Sequence, residues 1–360
     1  MENLSGRVEE SSTIRQESIL QADRGDFVSE VPPNLVSVIT PAFNAAAHLA
    51  ETIESCLAQT WRDFELLIVD DGSTDTTAAL ARRYAACDAR VRVFSVPNRG
   101  SSAARNLAIS HAQGSFFALL DSDDVWMPDY LQVQIATLNR HPTADVVTAN
   151  AINYGGDRDG TSYWPSSNEV RPLTFGEMIA REDAVCIMSV FRRSVIERAG
   201  RFDERFRGNE DYQFWLRVAM AGCTFVADFT PRGYYRRRPD SVSSDERRML
   251  SGIMTVLKEI RPFCSVDSAK VRAIDGQLKR FNRALQIAEA RQCIAAGDPR
   301  AGVTFLKRIS PADRGPVLSL ALMVARVWPL LLSVGYRTKG AFRELRARLS
   351  RRGRSVSGVC

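Results

Sequence analysis

Apolar, strand-like runs alternate with helical periods four times between Leu35 and Ala149, and few folds accept that order. Leu35 to Thr40 (LVSVIT) and Phe64 to Val69 (FELLIV) read as buried strands. Val91 to Val96, Ser115 to Leu120 (SFFALL) and Asp145 to Ala149 continue the series. Between the first two strands, Ala46, Leu49, Ile53 and Cys56 recur at helical spacing behind an expected N-cap at Asn44. Further helices are expected from Ser73 or Thr74 through Tyr84, from Ser101 to His111, and from Pro128 with Leu131, Ile135 and Leu138 on one face. The order implies an α/β fold with a doubly wound parallel sheet and right-handed crossovers. In such a sheet the ligand sits beyond the carboxyl ends of the strands.

The turns at those ends exclude two common classes. The first reads Thr40-Pro41-Ala42-Phe43-Asn44, with no G-x-G-x-x-G, which disfavours a nicotinamide cofactor. No G-x-x-x-x-G-K-[ST] occurs, so a P-loop protein is excluded. Three scattered histidines and seven widely spaced cysteines argue against zinc and for buried free thiols in a reducing compartment. Any metal must then be held by carboxylates, which favours Mg²⁺ or Mn²⁺.

Asp121, Asp123 and Asp124 supply such carboxylates at the end of the fourth strand. Acids that close raise each other's pKa unless a cation neutralises them. Alternation along a strand would put Asp121 and Asp123 on one side. Cap and turn chemistry is the alternative, but one cap needs one acid. Asp70 and Asp71 end the second strand, where an Asx turn and a ligand contact explain them equally well. Arg99 and Arg105 flank the opening of the third helix, a place suited to an anion or to solvated arginine. Asn209-Glu210-Asp211 opens another helix, with Asp211 sharing a face with Trp215 and Val218. First-turn acids suit the macrodipole, yet a carboxylate on that face is also a candidate general base. Arg236, Arg237 and Arg238 stand beside Ser241 and Ser243 in an expected loop, either solvated or closing over phosphates.

Charge separates body from tail. The chain carries +6, but residues 337–360 hold eight basic residues against one acid, so the other 336 residues sum to −1. A general nucleic-acid surface is therefore not expected. Val317 to Tyr336 is mainly apolar, but Arg326 and Pro329 interrupt it, and an arginine at mid-membrane costs about 2.5–3.5 kcal/mol on insertion scales. Ser319, Arg326 and Ser333 form one narrow polar stripe, followed by Phe342, Leu345 and Leu349 opposite arginines. That is an interfacial pattern suited to an anionic membrane surface; a dimer or packing helix and a true span are the alternatives. Four segments are expected: a polar extension (1–34), an α/β domain (35–243), a helical extension (244–312) and a membrane-associating basic tail (313–360).

Taken together, the pieces resemble family 2 glycosyltransferases of the GT-A fold. VSVITPAFN, QTWRDFELLIVDDGSTD, NRGSSAARN, GSFFALLDSDDVW, FDERF…NEDYQFWLR and YRRRPDSVS stand in that family's order from Val36 to about Ser244. The resemblance implies a Rossmann-like mixed sheet and an inverting transfer from a nucleoside-diphosphate sugar (UDP-, GDP- or dTDP-linked) to an acceptor hydroxyl. It implies nucleotide contacts from Pro41, Phe43, Asp70, Asp71 and Arg105, with Mg²⁺ or Mn²⁺ on Asp121 and Asp123. Asp211 would be the base. Arg236, Arg238, Ser241 and Ser243 would face the leaving diphosphate, although many relatives carry His where Arg238 stands. A glycan acceptor, free or lipid-linked, in bacterial envelope polysaccharide assembly fits a cytoplasmic enzyme on the inner face of the plasma membrane. A sugar-1-phosphate nucleotidyltransferase on a similar sheet would need a Gly-rich loop with Arg and Lys after the first strand, which is missing. A catalytically silent nucleotide- or membrane-binding scaffold is opposed by the intact Asp121, Asp123 and Asp211.

Overall fold

The computed structural model describes residue 32, residues 34–238 and residues 245–327. The expected N-terminal extension before residue 32, Ser241, Ser243 and the basic tail beyond residue 327 lie outside the described residues.

Four parallel strands form one half of the sheet: β1 (Val36–Ala42), β2 (Phe64–Asp71), β3 (Val91–Val96) and β4 (Phe116–Leu119). β1 is central, pairing with β2 from Val36↔Phe64 to Ala42↔Asp70 and with β4 from Val36↔Phe116 to Ile39↔Leu119. Every residue of β2 is buried, including its two terminal aspartates, as strands covered on both faces require. The intervening helices are α1 (Leu49–Leu57), α2 (Thr77–Cys87) and α3 (Ser101–His111).

The other half is mixed, as the resemblance implies; strand–helix alternation by itself reads only the parallel half. It holds β5 (Val125–Trp126), β6 (Val146–Tyr154), β7 (Val170–Leu173), β8 (Ser189–Arg192) and β9 (Phe225–Arg236). The order is β3-β2-β1-β4-β8-β6-β9-β5, with β7 also on β9. β8 separates β4 from β6 and runs antiparallel to both. Arginines hold it there: Arg192 Nε donates to Ala144 O at 3.0 Å, and Arg193 Nε to Gly114 O at 2.8 Å. These side chains satisfy carbonyls in the loops that precede β6 and β4.

Three helix starts also differ from expectation. α1 begins after His48, because Asn44 adopts φ 47° and its Oδ1 accepts from Thr74 N at 2.8 Å. α2 begins at Thr77, because Asp75 Oδ1 takes the Thr77 N–H at 2.9 Å. The Asn44–Thr74 bond, with Ala46 N donating to Asp75 Oδ2 at 3.2 Å, pulls the loops after β1 and β2 together at the carboxyl edge of the sheet. The strand alternation was expected to carry α4 (Tyr130–Arg140) from Pro128, and it starts after Asp129 instead. α5 (Phe175–Ala180), α6 (Ser194–Ala199) and α7 (Glu210–Met220) complete this part of the chain.

The described residues form two compact units. One takes residues up to 238 with Glu259–Ala273; the other takes Asp245–Lys258 and the residues from Ile274 onward. The helices that follow are α8 (Glu246–Ile260), α9 (Ser268–Ala295), α10 (Pro299–Lys307) and α11 (Pro316–Val327). The second unit's apolar centre gathers Ala290, Val303, Leu306, Ile309 and Leu322. No helix among the described residues is long and apolar enough to cross a membrane.

Candidate active site

The carboxyl edge of β1 and β2 carries Pro41, Phe43, Asp70 and Asp71. Phe43 is half exposed, with 50% of its surface open. Such a ring in a loop is free to stack on a planar group. Asp70 is buried and accepts a long 3.3 Å hydrogen bond from Ser73 N. Asp71 is committed: its two oxygens accept from Arg99 N and Gly100 N, each at 2.8 Å. The anion expected at the start of α3 is thus supplied by the chain itself. Gly72 turns between these elements at φ +74°, and a Cβ there would lie 2.7 Å from Asn98 N. Glycine is needed for both reasons.

Beyond β4, Asp121, Asp123 and Asp124 sit in a turn closed by Asp124 N on Asp121 O at 3.1 Å. The turn, and not strand alternation, brings the acids together. Asp124 is fully buried; Oδ1 accepts from Arg236 N at 2.8 Å, which fastens the end of β9 to the turn. Burial, then the charges of Asp123 and Asp121, push the Asp124 carboxyl well up. Burial and Asp121 likewise raise Asp123. Asp121 and Asp123 remain partly exposed and offer oxygen donors of the kind Mg²⁺ or Mn²⁺ takes, while Arg105 and Arg238 pair with them in this structure.

Three arginines border this turn. Arg236 lies in strand β9, not in a loop; its Nε donates to Asp123 O at 2.7 Å and its Nη2 pairs with Glu51. Arg238 pairs with Asp123 at 2.9 Å. Arg105, expected near the nucleotide, is buried between acids. One terminal nitrogen meets Asp121 Oδ1 at 2.7 Å, the other Glu210 Oε1 at 2.9 Å. Burial alone would lower its pKa, but Asp121 and Glu210 reverse that and raise it. Its place is therefore organisational, joining the acid turn to the start of α7.

Asp211 follows Glu210 there. Asn209 stands at the N-cap position with φ 58°, but its side chain makes no cap hydrogen bond. Asp211 Oδ1 accepts from Tyr212 N at 2.8 Å. Burial first, then the neighbouring Glu210 charge, push its carboxyl up to about 6 despite Arg105. Burial also pushes Glu210 up, but Arg105, the Ser101 hydroxyl and a backbone N–H together hold it below its ordinary value. Two adjacent carboxyls are thus driven apart, one kept ionised and one poised near neutrality, which is the pattern of a general base and its support. Glu210 and Glu51 were not singled out as arginine partners in the sequence, because each meets an arginine more than a hundred residues away.

The comparisons with known proteins agree with this architecture. The family model described as glycosyl transferase family 2 matches residues 37–200. TuaG of Bacillus subtilis, named for teichuronic acid biosynthesis, is 31% identical over 63% of this chain and 88% of its own length. WfgD of Escherichia coli, a UDP-Glc:α-D-GlcNAc-diphosphoundecaprenol β-1,3-glucosyltransferase, is 28% identical over 62% of this chain and 85% of its own. Among solved structures, S. aureus TarS (residues 1–349) with UDP-GlcNAc superposes with a TM-score of 0.57 at 20% identity, covering 76% of this chain and 81% of TarS. The Pyrobaculum calidifontis mannosyltransferase with GDP-Man and Mn²⁺ gives 0.51 at 19%, covering 91% and 89%. The sheet, its helices and the sequence match converge: the chain belongs to glycosyltransferase family 2.

Proposed function

We propose that this glycosyltransferase inverts the anomeric centre of a nucleoside-diphosphate sugar, with Asp211 as the general base. The observation that carries this is the Asp211 carboxyl, pushed up to about 6 and linked through Glu210 and Arg105 to the acid turn. The nucleotide lies beyond β1 and β2, with Phe43 and Asp70 free to contact its base and Asp71 shaping the loop. Asp121 and Asp123 hold Mg²⁺ or Mn²⁺, which when bound offsets charge on the departing diphosphate. Asp211 removes the proton of an acceptor hydroxyl as its oxygen bonds to the anomeric carbon. The bond from that carbon to the diphosphate breaks on the opposite side. One displacement without an enzyme nucleophile inverts the configuration. Arg236 and Arg238, on the same turn, favour the leaving group's charge, together with Ser241 and Ser243 beyond the described residues.

The acceptor is a glycan of bacterial envelope assembly, carried on a lipid diphosphate at the inner membrane face. Support comes from the relatives named above, the basic tail, and α11, where Leu320 and Met323 are 58% and 61% exposed one turn apart. A thermal-shift screen of UDP-, GDP- and dTDP-sugars with Mn²⁺ tests the donor reading, since selective binding raises Tm. One nucleotide should stabilise the protein only with the metal, and Asp121→Asn with Asp123→Asn should abolish the shift. A full shift in that double variant contradicts the metal site.

A further inference from the structure

The end of β9 sends consecutive side chains to opposite faces of the sheet. Arg236 and Arg238 face acids, Glu51 and Asp123. Arg237 does not: among the described residues it makes no ion pair. Its Nε donates to Asn153 Oδ1 at 2.9 Å. Its guanidinium carbon lies 4.6 Å from the Tyr235 ring centroid and 5.5 Å from that of Tyr163. The two rings are 5.3 Å apart and tilted by 58°.

This corner is built. Asn153 is 1% exposed, and its Nδ2 also donates to Thr161 O at 3.0 Å, so one buried amide positions both the guanidinium and the loop leading to Tyr163. Gly155 and Gly156 take φ +82° and +68°, and a Cβ on Gly156 would come within 3.2 Å of the Arg237 Cβ. The glycines let the loop close over Arg237. The corner adjoins the acid turn along the chain: Arg236 and Arg238, on either side of Arg237, both contact Asp123.

A partly exposed guanidinium stacked on aromatic rings, its Nε fixed and no carboxylate on it among the described residues, suits bidentate recognition of an anion. The flanking rings suit the apolar faces of a sugar. We propose that Arg237, with Tyr163 and Tyr235, receives an anionic acceptor saccharide, the guanidinium pairing with its uronate carboxylate or its diphosphate. This rests on the reading of Asp211 as the acceptor's base and adds the acceptor's charge to it.

The test is calorimetry on the full chain with butyl glucuronide, butyl-diphosphoryl-N-acetylglucosamine and neutral butyl N-acetylglucosaminide, and separately with UDP, GDP and dTDP, each with Mn²⁺. One anionic probe should bind roughly tenfold tighter than the neutral one, the scale of one charge-assisted contact. The probe that does so identifies carboxylate or diphosphate. Arg237→Gln should erase the preference and leave UDP–Mn²⁺ binding unchanged, while Tyr163→Ala weakens all three probes alike. No preference in the native chain, a preference surviving in Arg237→Gln, or an equal loss of UDP binding in that variant overturns the proposal. Failure of UDP, GDP and dTDP alike to bind the native chain with Mn²⁺ contradicts the donor reading instead, and the acceptor probes still decide the role of Arg237.

Discussion

Arg105 and Glu210 meet at 2.9 Å, although they are 105 residues apart in sequence. The same guanidinium holds Asp121 at 2.7 Å. A single buried cation therefore couples the turn expected to hold metal to the helix start that carries Asp211. Removing it leaves several acids facing one another. Arg105→Leu should lower unfolding free energy by about 3–5 kcal/mol, the usual cost of breaking a buried ion pair from one side. Urea unfolding checks this; a loss within experimental error would mean the network contributes little.

The pH profile follows from the same network. Asp211 accepts a proton only when ionised, and its carboxyl titrates at about 6. Transfer should therefore fall as pH drops through about 6 and level off above it. Glu210 is one of the charges that raise Asp211, while Arg105 lowers it. Glu210→Gln removes the first and leaves the second, so the acid limb should move to lower pH. Initial rates across pH 4.5 to 8 are the measurement, and a limb that stays or moves upward contradicts the assignment.

Asp70 and Asp71 should separate cleanly. Asp71→Asn replaces one acceptor by a donor facing the backbone N–H groups of Arg99 and Gly100. It should cost about 1–3 kcal/mol of stability, as an unsatisfied buried group does. Asp70→Asn keeps the fold's hydrogen bonds and should mainly weaken nucleotide binding. Thermal melts with and without UDP distinguish the two; the reverse pattern would exchange their roles.

The alternation of strands and helices was legible from Leu35 onward because apolar periodicity is a local signal. So were the acid turn and Asp211, through composition at strand and helix ends. The antiparallel insertion of β8 was not legible. Its four residues are held by Arg192 and Arg193 on distant carbonyls, a tertiary cause. The partners of Arg105 were hidden for the same reason: its sequence context at the start of α3 suggests an external anion, while they come from the turn after β4 and from α7. Asn44 looked like a cap because the residue type is right, but cross-loop bonding to Thr74 takes its side chain.

Membrane docking makes its own prediction. The native chain should float with vesicles containing anionic lipid at low salt, and a chain ending at residue 312 should stay in solution. Salt should release the native chain as screening shortens to about 8 Å near physiological strength. Equal flotation of both chains would remove the tail from the docking surface.

The assignment of Asp211 is tested most directly by Asp211→Asn, assayed for sugar transfer and for UDP–Mn²⁺ binding on the same preparation. The carboxylate that takes the acceptor's proton is then gone, while Arg105, Asp121 and Glu210 stay in place. Transfer should fall by about 10²–10⁴-fold, the range for loss of a general base, with nucleotide affinity nearly unchanged. Turnover at the native rate would contradict the account.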